Sequence, residues 1–204
     1  MSTASTILTR LKEETAPMHE HIEKNEYAAA IMNNSLSMEK YKDYLMKFYG
    51  FIKPWEARLH EVEHPHGSAL SEPSRNKTKW LEQDLTALGV KRQELDRLPL
   101  CDALPDLTTR ARALGSLYVL EGSTLGGQMI AKKLAQVLPV DPQENCRYFY
   151  SYGPHTRERW QEFRQELEEE ADTAEKEEQM IAAARETFVL LDCWITGREV
   201  PAAL

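Results

Sequence analysis

The chain has 204 residues, 42% hydrophobic and 28% charged, with a formal net charge of −8 at pH 7. That length suits one domain with a real core, and the negative balance argues against nucleic acid or an anionic membrane as a main partner. There is no run of about 18 apolar residues to cross a bilayer. "MSTASTILTRLKEET" lacks the apolar core of a signal peptide, and Cys101, Cys146 and Cys193 make no CxxC pair. A cytoplasmic protein without a disulfide framework or zinc ribbon is expected.

In chain order, Ile7, Leu8, Leu11, Met18 and Ile22 give a mostly polar helical pattern from Thr6 to Lys24. Pro17 marks a break or kink just before His19. Ser37 reads as an N-cap with Glu39 in the first turn, opening a long helix through Tyr41, Tyr44, Phe48, Phe51, Trp55 and Leu59, bent at Pro54. "HPHGS", His64 to Ser68, is a loop. A helix from Pro73 carries Trp80, Leu81, Leu85 and Leu88 and ends at Gly89. Asp106 caps a helix from Leu107 to Leu138, stopped by Pro139. Trp160, Phe163 and Leu167 mark another helix. The last starts near Asp172, where "DTAE" matches a capping box, and runs through Met180, Ala184, Phe188, Leu191 and Ile195 to Gly197, leaving "REVPAAL" as a tail. No segment alternates as a strand does, so residues 1–204 read as one all-α domain.

The long helix before Pro139 holds "LEGSTLGGQMIAKK", with Gly122, Gly126 and Gly127 within six positions. Each glycine costs a helix interior roughly 1 kcal/mol against alanine. Gly115, Gly122 and Gly126 fall within about 40° of one another at about 100° per residue. The stripe has two readings, a close helix–helix contact or a planar ligand pressed against bare backbone. The spacing is not that of a phosphate loop.

A planar cofactor needs a ligand elsewhere, and "TAPMHEHIEK" offers His19 with Glu23 one turn on, on the same face. A neutral imidazole binds a metal through one nitrogen and donates its other N–H to an acceptor such as a carboxylate. His21 points to another side of the helix. The "HPH" loop of His64 and His66 lacks a third metal ligand nearby in the sequence, and His60 and His155 have no informative partners.

"LKEETAPMHEHIEK" together with "LYVLEGSTLGGQMIAKKL" a hundred residues later resembles the heme oxygenases. "YKDYLMKFYGFIKPWE", "YFYSYGPHTRERWQEF" and "ETFVLLDCWI" follow in the order of that family's helices, and the chain looks closest to the bacterial subgroup found beside bacteriophytochromes. The resemblance implies an all-α bundle with heme between a proximal N-terminal helix and a glycine-rich distal helix. It makes His19 the proximal iron ligand, Glu23 the carboxylate facing its other nitrogen, and Gly122 and Gly126 the distal glycines. Lys12 and one of Arg157, Arg159 and Arg164 would contact the heme propionates. Ser123 stands where animal members have an aspartate that orders distal water, and Leu117 stands where the family has a tyrosine, with Tyr118 adjacent.

The implied activity is oxidative cleavage of heme, both cofactor and substrate, to biliverdin, CO and ferrous iron with O2 and external electrons. A ferredoxin or flavoprotein reductase would supply the electrons, and a bacteriophytochrome would be a natural acceptor of biliverdin. The alternative is a heme-binding sensor, chaperone or store that keeps the pocket without turnover.

Overall fold

The computed structural model describes residues 6–62, 64 and 68–202. Among them there are helices and turns and no strand. Residues 65–67 of the expected loop, with His66, lie outside the described residues, as do 203 and 204 of the tail.

Helix α1 spans Ile7–Ile22, and the Thr6 hydroxyl accepts from the Thr9 N–H at 3.3 Å to cap it. Contrary to expectation, Pro17 does not break it. Proline removes one backbone donor, but packing on the last helix holds both halves: Arg10 pairs with Glu177 at 2.8 Å, and the His19 ring meets Phe188. The sequence pattern did not reveal α2, Glu26–Met32, whose cap is Asn25 Oδ1 accepting from Tyr27 and Ala28 N–H at 2.9 Å. Ser37 caps α3, Met38–Leu59, as expected, and α3 continues across Pro54.

Pro73 opens only a single 3-10 turn, Pro73–Arg75. The α-helix α4, Lys77–Ala87, starts after Asn76, whose side chain accepts from Lys79 N–H at 2.8 Å. Gly89 follows it at φ +86, a conformation that suits glycine. A short α5, Arg92–Leu95, precedes α6, Arg110–Val137. The cap of α6 is Thr109 rather than Asp106, which accepts instead from Thr108 N–H at 2.9 Å. After α7, Arg147–Tyr150, and a second 3-10 turn, Gly153–His155, come α8, Thr156–Glu170, and α9, Ala174–Thr196. The cap of α9 is Thr173, one residue past the expected Asp172, whose carboxylate pairs with Lys176 at 3.0 Å. Gly197 at φ +70 ends α9.

Helices α6 and α9 form the centre. Helix α1 lies along α9, α8 along α6, and α3 packs on α4 and α9. At the heart of the core, Trp55 Nε1–H donates to Ser116 Oγ at 2.8 Å, and Ser116 is bonded to Thr187 Oγ1 at 2.7 Å. These buried polar groups satisfy one another across α3, α6 and α9, which fixes the mutual register of the three. Cys101, Cys146 and Cys193 are all buried free thiols. No described helix is long and apolar enough to cross a membrane.

Candidate functional site

Helix α1 contributes one side. Lys12, His19 and Glu23 lie within about 40° around its axis. His19 Nδ1 is 3.7 Å from Glu23 Oε2, an ion-pair distance rather than a direct hydrogen bond. The imidazole is 56% exposed and its edge packs on Phe188, with centroids 5.8 Å apart and planes at 76°. One nitrogen therefore faces a carboxylate, and Nε2 has no partner among the described residues. Lys12 is exposed and makes no ion pair among them. His21 does point elsewhere. Its Nε2 is 3.6 Å from Asp192 and 2.8 Å from Arg198 Nη2, in a groove of about 360 Å³ between α1, α9 and the tail.

Helix α6 contributes the other side, and its glycines divide into two kinds. A Cβ on Gly115 would stand 2.1 Å from the Met180 carbonyl oxygen of α9, and one on Gly127 2.2 Å from that of Phe149. Those two are packing glycines; Gly115 meets α9 as the helix–helix reading of the stripe has it, whereas Gly127 lies off the stripe, about 100° round from Gly126. A Cβ on Gly122 would meet only Trp160 at 3.8 Å, ordinary contact, and one on Gly126 would meet nothing within 4 Å. Among the described residues, no atom crowds the missing side chains at Gly122 and Gly126. Beside them Leu125 and Met129 are 46% and 54% exposed, and Met32 of α2, which packs on α6, is also exposed. Apolar side chains around bare backbone form a surface made to be covered. Helices α1 and α6 both rest on α9.

Ser123 is exposed, and its hydroxyl donates to the Leu120 carbonyl at 2.8 Å. Its proton is thus used within the helix, leaving its lone pairs for a water donor. Leu117 is buried in the core, whereas Tyr118 is half-buried one turn before Gly122, its ring 5.7 Å from that of Trp160.

The three arginines of α8 separate as well. Arg157 and Arg164 are exposed and share the helix face of Trp160, the side chain nearest Gly122. Arg159 is turned away. Its Nη1 pairs with Glu72 at 2.8 Å and Glu162 at 3.1 Å.

One cluster escaped the sequence reading. Glu121, between Leu120 and Gly122, is 1% exposed. Its carboxylate accepts from Arg75 Nη1, Lys77 Nζ and, at 2.9 and 3.1 Å, the Tyr152 hydroxyl. Burial pulls the Lys77 ammonium down, but attraction to Glu121 outweighs it and holds Lys77 above its ordinary range. Burial pushes the Tyr152 phenol up to about 12. The signal was present: Glu121 falls four residues after Leu117 and seven after Leu114, on a face that is otherwise apolar.

Among the described residues, no three His, Cys, Asp or Glu side chains form a metal cage. His19 instead fits a metal whose other ligands come with it. The bare backbone at Gly122 and Gly126, with its apolar border, fits a flat ring, and the exposed Lys12, Arg157 and Arg164 fit anionic groups at the rim. The donor set and the cradle suit heme.

The heme oxygenase family description matches residues 5–196. A heme oxygenase of Xanthomonas campestris pv. campestris (strain 8004) is 29% identical over 114 residues, which cover 56% of this chain. The chain thus spans 64% of that curated relative's length, just under two thirds. Among solved structures, heme oxygenase from Leptospira interrogans superposes with a TM-score of 0.76 at 17% identity, over 95% of this chain and 100% of that one. Heme oxygenase-1 from Synechocystis sp. PCC 6803, in complex with heme, gives 0.75 at 15% identity, over 95% and 92%. The NO- and CO-bound heme oxygenase from Neisseria meningitidis gives 0.72 at 23% identity, over 98% and 99%. At these identities the structural likeness speaks for the fold alone.

Proposed function

This chain belongs to the heme oxygenase family, and from that premise we propose that it cleaves heme oxidatively to biliverdin, CO and ferrous iron. The observation that carries the reading is the division of the α6 glycines: Gly115 and Gly127 are filled by protein, while Gly122 and Gly126 stand open. When bound, heme is the substrate and also supplies the iron at which O2 is activated, with electrons from a ferredoxin or flavoprotein reductase. In this reading residues 1–204 act as one cytoplasmic domain, and a bacteriophytochrome is a suitable acceptor of the biliverdin.

The residues have distinct tasks. His19 offers Nε2 to iron as a neutral ligand, holding its proton on Nδ1 toward Glu23. Gly122 and Gly126 leave backbone where side chains would fill the space that O2 needs. Ser123, its own proton committed to Leu120, accepts from a distal water and so orients it. Lys12, Arg157 and Arg164 meet the two propionates and set the rotation of the ring, hence the carbon attacked.

The test is anaerobic reduction of the heme-loaded protein, followed by O2 with excess reductant and catalase. A bilin absorption band with CO release is expected. Heme returned unchanged would overturn the reading in favour of a heme store.

A further inference from the structure

The Glu121 cluster has no part in the ligand set above, yet it adjoins Gly122 in the chain. Its three partners come from separate elements: Arg75 from the first 3-10 turn, Lys77 from the first turn of α4, and Tyr152 from the segment before α8. Each is tied further. Arg75 Nη2 donates to the Arg159 carbonyl at 3.1 Å, and its Nε pairs with Glu72 at 3.2 Å. The Lys77 and Thr78 backbone N–H groups donate to the buried Glu56 at 2.6 and 3.2 Å. Lys77 Nζ and the Arg75 guanidinium also lie 5.6 and 5.7 Å from the Tyr152 ring centroid. Glu121 is thereby gripped by a frame that belongs neither to α6 nor to α9.

Buried ion clusters are poor stabilisers compared with apolar packing of the same volume, and their better-attested use is to select one arrangement. What this cluster selects is the rotation of α6. Among the described residues only Trp160 meets the open face, at Gly122. Glu121, adjacent to Gly122 in the chain, is the buried charged side chain that fixes the helix about its axis there, while Gln128, bonded to the Gly153 carbonyl and Thr156 Oγ1, holds the turn after Gly126. A rotation of about 20° on a Cα radius of about 2.3 Å moves the backbone by about 0.8 Å. A misplacement of that order in a reacting geometry is consequential.

We infer that Glu121 is a positioning residue: held by Arg75, Lys77 and Tyr152, it sets the rotation of α6, and with it how the backbone of Gly122 and Gly126 lies over the ring on His19 and which ring edge is attacked. The inference rests on the oxygenase reading of the site.

The experiment uses the full chain with two changes, Tyr152→Phe and the charge-balanced pair Glu121→Gln with Lys77→Met. Three quantities are read: amide exchange of the heme-free protein, hemin affinity, and the isomer ratio of the bilin. In the paired variant, exchange across residues 118–124 rises at least about tenfold while α9 keeps its protection. Hemin affinity falls about tenfold and the isomer ratio changes. Tyr152→Phe shows the same changes in smaller measure, and it decides alone if the paired variant does not fold. Wild-type exchange in α6 together with a wild-type isomer ratio overturns the inference. So does a lower melting temperature with an unchanged isomer ratio, which assigns Glu121 to stability only. A wild-type protein that makes no bilin overturns the oxygenase reading instead, and the exchange arm then still decides whether Glu121 holds α6.

Discussion

The Cα of Gly115 faces the backbone of Met180 so closely that a methyl group there would stand 2.1 Å from the Met180 carbonyl oxygen, whereas eleven residues later Gly126 faces open space. One helix thus carries two kinds of glycine on one stripe, and they must respond to alanine in opposite ways. Gly115→Ala forces α6 and α9 apart and costs more than about 2 kcal/mol of stability. Gly126→Ala stabilises the heme-free protein by about 0.5–1 kcal/mol through helix propensity, while lowering bilin formation. Urea unfolding of the two heme-free variants measures the first effect. Equal destabilisation by both would contradict the division.

The open face leaves α6 free to respond to its ligand. Leu125 and Met129 are exposed, and in the proposed complex the ring would cover them. Amide exchange over residues 118–130 should therefore slow when hemin is added, beyond any change in α3. Equal protection with and without hemin would remove the idea that the distal helix closes on the ring.

Arg157 and Arg164 are exposed on the Trp160 face of α8 and make no ion pair among the described residues, whereas Arg159 is engaged by Glu72 and Glu162. Arg157→Ala or Arg164→Ala should weaken hemin binding and shift the bilin isomer ratio. Arg159→Ala should leave the isomer ratio alone. Chromatography of the extracted bilins separates the cases, and a shift confined to Arg159→Ala would reverse the assignment.

Asp84 gives a pH-dependent signature away from the site. Its fully buried carboxylate accepts from the backbone N–H groups of Arg147 and Tyr148 at 2.7 and 2.8 Å, and caps α7. Burial nevertheless raises its pKa from 3.8 to about 6. The folded state then holds a proton that the unfolded state releases between these values. The stabilisation is complete below about pH 4 and is lost as pH rises through 6, a contribution of roughly 3 kcal/mol. The stability of wild type relative to Asp84→Asn should be greatest near pH 4 and decline toward pH 7 in urea titrations. A flat or rising difference would contradict this.

Much of the fold was legible because apolar periodicity survives tertiary packing: α3, α4, α6, α8 and α9 follow it. The caps were read less well. Asp106 and Asp172 look like caps, but Thr109 and Thr173 perform the task, since neighbouring polar residues compete for the same backbone N–H groups. Helix α2 is too short for its period to show. At the candidate site, the proposed ligand role of His19 came from the family resemblance, while its pairing with Glu23 was readable from their i, i+4 spacing. The different duties of Gly115 and Gly126 were not, because spacing says that backbone is bare and only the facing helix says what fills it. Glu121 was hidden for a similar reason, as its partners lie far off in the chain, Arg75 and Lys77 at the entry to α4 and Tyr152 before α8.

The central claim is that His19 holds iron opposite the open glycines of α6. Titrating hemin into wild type and into His19→Ala, followed by absorption, tests it most directly. The account predicts a sharp Soret band of histidine-ligated hemin in the wild type and its loss in the variant. An identical spectrum in both would show that another residue holds the iron.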